Sequence, residues 1–283
     1  MTTIPPVVPP LSRENPYARD LPVGAAFGWL RAGWHDMITQ PLPSLLYGFF
    51  VLGLSLSIIA GLVLLGWDFA LFPLMAGFLI LAPTLAIGLY AKSRALEEDQ
   101  PVSLRRMLLP YPRSGRQLLF TGALLCALML LWMRAAVIIY ALFFGVRPFP
   151  GLNHVADTLF TTPTGLAMLV VGSLIGGVFA SFSFAISVFS IPMMLDKQVD
   201  ALTAMGSSFA LVWHNLTPLL VWGAVVLALF LLSVTTALIG LVVVFPLLGH
   251  ASWHAYRSID RAGNPLHPEA VSPERKGLGV SGQ

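Results

Sequence analysis

His250 and His254 stand one helical turn apart in a chain of 283 residues. That spacing puts both imidazoles on one helix face, where they could supply two ligands to a metal. A third ligand is needed, and His214 and His35 are the candidates. The glutamate of a zinc-protease helix is missing, and two histidines on one face cannot be the two axial ligands of a single haem. Hydrogen bonding at a membrane interface, beside Trp253 and Tyr256, is the favoured reading, with no metal and no cofactor expected. Trp34, His35 and Asp36 join His214, His250 and His254 as a candidate interfacial cluster. Arg134 is the one basic residue within a long apolar run. A charge in hydrocarbon is costly and marks a functional hypothesis. Its place in the outer half of a span also lets it snorkel to headgroups or pair with Asp68 or Asp157. Arg105, Arg106, Arg113 and Arg116 gather with Met107, Leu108, Leu109 and Tyr111 as a lipid-headgroup surface, each charge worth about 1 kcal/mol near anionic lipid. The sequence shows no phosphate loop, nucleophile elbow, paired intramembrane carboxylates or protease signature, so no catalytic residue is expected.

The elements that position these residues are membrane spans. Hydrophobic residues make up 57% of the chain, charged residues 10%, and the mean hydropathy is +0.81. A soluble globule carries roughly 25% charged residues, so a soluble enzyme and a nucleic-acid-binding domain are excluded. Apolar runs of spanning length place the first four helices at about 41–66, 69–91, 117–144 and 163–191. The run from Leu216 to Trp253 is too long for one span. It divides into about 217–234 and 236–256, reversing near Thr235 and Thr236. The expected fold is an all-α polytopic bundle of about six spans. Amphipathic helices at 23–38 and 196–215 are expected to lie in the interface through the stripes Val23, Phe27, Leu30, Trp34, Met37 and Val199, Leu202, Met205, Phe209, Val212. A Pro-rich tail at 1–22 and a Gly, Pro and Ser-rich tail at 262–283 are expected to be disordered around one domain at 23–261. With six spans, fourteen of the sixteen Lys and Arg fall on one side, which predicts an inner-membrane protein with both termini cytoplasmic. The single Cys126 permits no internal disulfide.

An internal repeat is visible. Trp34-His35-Asp36 precedes Pro41 and Leu45-Leu46-Tyr47-Gly48, while Trp213-His214-Asn215 precedes Pro218 and Leu219-Leu220-Val221-Trp222-Gly223. A fainter echo joins Val102-Ser103-Leu104 to Val199-Asp200-Ala201-Leu202. The pattern suggests three like-oriented units, each an interfacial helix followed by a hairpin. On the fourth span Gly172, Gly176 and Ala180 form a small-residue row suited to close helix packing. Pro83, Pro192 and Pro246 mark kinks.

Several stretches together resemble a bacterial family of predicted integral membrane proteins of unknown function. They are Trp29-Leu30-Arg31-Ala32-Gly33-Trp34-His35-Asp36, Leu46-Tyr47-Gly48, Ala82-Pro83 through Tyr90 with Ser93-Arg94, Val199 to Met205, and Phe245-Pro246 through Arg257. The resemblance runs from about residue 25 to 260 and implies a six-span inner-membrane protein, with no activity or catalytic residues to carry over. Members are sometimes labelled similar to the haem subunit of cytochrome oxidase. This sequence lacks the intramembrane histidines that two haems and a copper need. The expectation is a non-catalytic protein acting through lipid or membrane-protein contacts, with membrane lipids as partners and no nucleic acid. A permease for a small or amphiphilic solute is the alternative, and a metal or haem protein built on His250 and His254 the third.

Overall fold

The computed structural model describes residues 15–145 and 151–262. Among the described residues the regular structure is helical throughout. In chain order the helices are α1 (Ala25–Thr39), α2 (Pro41–Leu64), α3 (Leu71–Leu85), α4 (Ile87–Glu97), α5 (Leu104–Leu108), α6 (Gly115–Phe144) and α7 (Leu152–Thr161). They continue with α8 (Pro163–Ser187), α9 (Ser190–Asp196), α10 (Ala201–His214), α11 (Leu216–Thr235) and α12 (Leu241–Ala262). Most of the first expected tail and nearly all of the last lie outside the described residues.

Among the described residues five stretches are long and apolar enough to cross a membrane: Pro41–Leu64, Asp68–Glu97, Gly115–Phe144, Pro163–Asp196 and Leu216–Thr235. The chain is therefore a polytopic helical membrane protein. The long C-terminal run does divide, through a turn at 236–240 in which Ala237 and Leu238 take positive φ. Its second half is not among the five. α12 is apolar from Leu241 to Gly249 and then carries His250, Ser252, His254, Arg257, Asp260 and Arg261, so its apolar run is too short to span by itself. It nevertheless brings the chain back to where it started. Arg19 Nε donates to Ile259 O at 3.0 Å, and the Arg19 amide donates to Asn215 Oδ1 at 2.9 Å.

Proline breaks two of the spans, and neighbouring hydroxyls satisfy the backbone groups that are freed. Pro83 lacks the N–H for an i−4 bond, and the helix restarts at Ile87 after a break at Ala86. Tyr47 of α2 donates its hydroxyl to Leu85 O at 2.7 Å. In the fourth span the break lies at Val188 and Phe189, just ahead of Pro192. There Ser208 of α10 donates to Ala185 O at 2.7 Å and accepts from the Phe189 amide at 3.2 Å. Hydrocarbon offers no water to these groups, so such partners are what makes a broken span tolerable. The second span also runs on to Glu97, further than its apolar run suggests, and this puts Lys92 and Ser93 on a helix.

The amphipathic helices sit where the sequence places them, and most of each expected stripe faces outward, as a helix lying in the interface requires. On α1 the buried residues are Ala26, Trp29, Gly33, Asp36 and Met37, while Val23, Phe27, Trp34 and Ile38 are exposed. On α10 the buried residues are Ala201, Ala204, Ser208, Leu211 and Val212, while Leu202, Phe209 and Trp213 are exposed. Of the expected stripes only Met37 and Val212 are fully buried. Small residues face the protein because they let backbones approach. Gly33 lies so close to Ala251 of α12 that a Cβ would collide with backbone, and Gly48 of α2 abuts Val242 in the same way.

Candidate functional site

α12 is the post around which the N-terminal helices assemble, and its inner face carries the polar residues. His250 is fully buried between α2 and α4. Its Nε2 lies 2.9 Å from Ser44 Oγ and its Nδ1 2.8 Å from Ser93 Oγ. Lys92, also buried, donates to Asp36 O at 3.0 Å, Gln40 O at 2.6 Å and Ser44 Oγ at 2.7 Å. An ammonium has three N–H donors, and all three are used. Asp36 Oδ2 is 2.8 Å from His254 Nε2, with Ser93 beside the same carboxylate. A connected run of hydrogen bonds thus joins Ser93, His250, Ser44, Lys92, Asp36 and His254 and ties α1, α2, α4 and α12 together. Burial pushes the Asp36 carboxyl up. Hydrogen bonds from His254 and Ser93, with the charges of the two histidines, outweigh this and hold it below the usual carboxylate range.

The expected cluster is therefore brought together in part. Asp36, His250 and His254 meet. Trp34 and His35 point away from them, and His214 lies elsewhere, stacked on Tyr17 at 6.0 Å with its ring bonded to Ala210 O. The imidazole nitrogens that a metal would need at His250 are taken up by serines, and the described residues hold no group of three His, Cys, Asp or Glu placed for a metal. Sequence reading missed Ser44, Lys92 and Ser93. One signal was available: Lys92 is a lysine in a chain whose sixteen basic residues are nearly all arginine. A compact ammonium fits three converging acceptors better than a planar guanidinium does.

Beyond this network lies a second polar layer. Glu97 accepts from Trp253 Nε1 at 3.2 Å, from Arg257 at 3.0 and 3.1 Å, and from Arg261. Tyr256 donates to Asp196 at 2.9 Å, and Arg94 donates to Leu195 O at 2.6 Å. Glu97 is thus a clamp on α12. Arg105, Arg106, Arg113 and Arg116 are all exposed, beside exposed Leu109 and Tyr111. Arg134 is exposed on α6.

On the opposite face of α12 is a cavity of about 610 Å³ between α3, α8, α11 and α12. Its floor includes Phe78, Phe230 and Phe245, with ring centroids 5.6 and 6.0 Å from Phe78. Exposed Phe182, Trp213, Leu220 and Leu227 form its rim. Both helix breaks border it through Ala86 and Val188. Among the described residues no Asp, Glu, His, Lys or Arg lines it, and Tyr90 and Ser252 lie together at its edge. Arg134 is not part of its wall.

Residues 71–196 match the model of a family described as predicted integral membrane protein (DUF2189). The match takes in α3 to α9, with Lys92 and Ser93. Asp36, Ser44, His250 and His254 lie outside it. No curated protein and no solved structure matches the chain.

Proposed function

We propose that this membrane protein holds the apolar part of a membrane amphiphile in the groove between α3, α8, α11 and α12, without transforming it. The observation that carries this reading is the groove itself. Its volume of about 610 Å³ falls within the roughly 300–1,000 Å³ of small-molecule sites, and its rim opens on residues exposed to hydrocarbon. In a bilayer the molecules at such a rim are acyl or isoprenoid chains. The absence of charged side chains from the described wall, whose side-chain hydroxyls are those of Ser181, Ser252 and Tyr90, favours holding over chemistry. The exposed arginines of the α5 region and the outward-facing Phe27, Trp34, Phe209 and Trp213 supply a headgroup and interfacial surface around the same body. The excess of Lys and Arg at that end supports a bacterial inner-membrane protein with this surface and both termini facing the cytoplasm.

Native mass spectrometry of the detergent-purified chain tests the reading. A Cβ at Gly223 or Gly177 meets no atom within 4 Å, so Gly223→Phe and Gly177→Phe fill the groove without disturbing the bundle. Wild type should retain lipid-mass adducts that both variants lose. Equal retention in all three would refute the groove as the holding site.

A transport reading draws on one feature, the pair of broken spans beside the groove. Transporters often bind cargo at such discontinuous helices. Flux of a fluorescent phospholipid across proteoliposomes, present in wild type and lost in Gly223→Phe, would favour it over static holding.

A further inference from the structure

The network of Lys92, Ser44, His250, Ser93 and Asp36 has more polar order than packing requires. Its geometry invites a catalytic interpretation, since Ser44 touches both a lysine and a histidine. Ser44 is fully buried, however, and is not part of the groove wall.

The hydrogen-bond directions say more. All three Lys92 N–H groups are committed, one of them to Ser44 Oγ. The single hydroxyl proton of Ser44 is then free to go to His250 Nε2, which must be unprotonated to accept it. His250 carries its proton on Nδ1 and gives it to Ser93. The chain is directional. A second proton on His250 would leave the Ser44 hydroxyl without an acceptor and place a buried cation beside the Lys92 ammonium.

The charged groups that His250 faces are Lys92 on α4, Asp36 on α1 and His254 on its own helix. α2 contributes only the neutral Ser44. Glu97 on α4 and Asp196 on α9 are occupied in the outer layer by Trp253, Tyr256 and Arg257. The network also forms the back of the groove wall. α12 carries His250 and His254 on one face and Phe245, Leu248, Gly249 and Ser252 on the face lining the groove, while α4 carries Lys92 and Ser93 on one face and Tyr90 on the other.

We propose that this network is a proton-sensitive latch that holds α12 against α1, α2 and α4 at neutral pH, and releases it on acidification so that the groove changes shape. The control of the groove rests on the holding role proposed above, whereas the latch itself does not. The sign follows from linkage. The folded chain keeps His250 neutral, while an imidazole in the unfolded chain takes up a proton below about pH 6.5. The stabilisation is therefore whole above that pH and is lost as pH falls.

The full chain in lipid nanodiscs is melted between pH 8 and pH 5. The wild-type midpoint should fall by about 5 °C. His250→Gln offers an acceptor to Ser44 and a donor to Ser93 without titrating, so its midpoint should not respond to pH in this way. His254→Gln should keep the wild-type fall. A flat wild-type profile, or the same fall in His250→Gln, overturns the latch. Lipid adducts are counted by native mass spectrometry at the same two pH values, with a change of about twofold expected in wild type and none in His250→Gln. Lipid retention that ignores pH overturns the control of the groove. Retention that is indifferent to Gly223→Phe at both pH values refutes the holding role, and the melting series still decides the latch.

Discussion

The α1–α2 and α10–α11 junctions are built alike and furnished differently. Each follows the order Trp, His, Asp or Asn, then proline. Trp34 is 47% exposed and Trp213 62%, whereas Asp36 is 8% exposed and Asn215 6%, so the same three positions point the same way in both. The partners diverge. Asn215 binds only backbone groups: it accepts from the Arg19 amide and donates to Tyr17 O and Leu211 O, each at 2.8–2.9 Å. Asp36 faces a lysine and two histidines. The repeat seen in the outer two units of the sequence therefore reaches the structure as a shared scaffold, and ionisable chemistry was placed in one copy alone. A neutral amide is enough to stitch an interfacial helix to a span. The charged version must serve something besides stitching.

Breaking the charged junction should have the largest effect. Asp36→Ala or Lys92→Met leaves an opposite or unpaired group in a buried site and should destabilise the fold by about 3–5 kcal/mol, measured as loss of monodisperse protein and a lowered melting midpoint. Lys92→Arg should not rescue it, because a planar fork cannot aim three donors at Asp36 O, Gln40 O and Ser44 Oγ. Asn215→Ala at the neutral junction should cost about 1–3 kcal/mol, as for other buried hydrogen-bonding groups left unmatched. If the two junctions prove equally sensitive, the distinction between them fails.

Close packing offers a sharper test within α1. Gly33→Leu drives a side chain into the backbone of α12 and should cost at least about 1–3 kcal/mol. Gly28→Leu, at a position where a Cβ meets nothing within 4 Å, should melt like wild type. The smallest effect is expected at the exposed tryptophans. Trp34→Ala and Trp213→Ala should each change the melting midpoint in detergent by no more than about 0.5 kcal/mol equivalent, and should weaken partition into liposomes instead.

Much of this architecture was legible in advance. Runs of apolar residues place four spans to within a few residues, and the excess length of the C-terminal run shows where it must divide. The outward stripes of α1 and α10 were legible, but the second face by which each helix packs on the protein was not, because small residues leave no hydrophobic pattern. Beside lipid the large residues face out and Ala26, Gly33, Ala201 and Ala204 face in. Lys92 was hidden by another assumption, that a span ends where its apolar run does. His250 and His254 were found from their spacing, but their partners come from helices more than a hundred residues away, and no local pattern joins them. The second half of the C-terminal run is weaker than a span by hydropathy alone because α12 also packs on α1, α2 and α4.

The embrace of α1 and α12 sets a timetable for biogenesis. The face bearing Trp29 and Gly33 leaves the ribosome more than two hundred residues ahead of Ala251 and Ile259. At about 5–20 residues per second, the first helix waits on the order of ten seconds or longer while every intervening hairpin is inserted. During that interval a buried carboxylate and a row of small residues stand uncovered at the membrane surface. The nascent chain is most vulnerable there to proteases and to mispairing with another copy, and the arrival of the last helix ends the exposure.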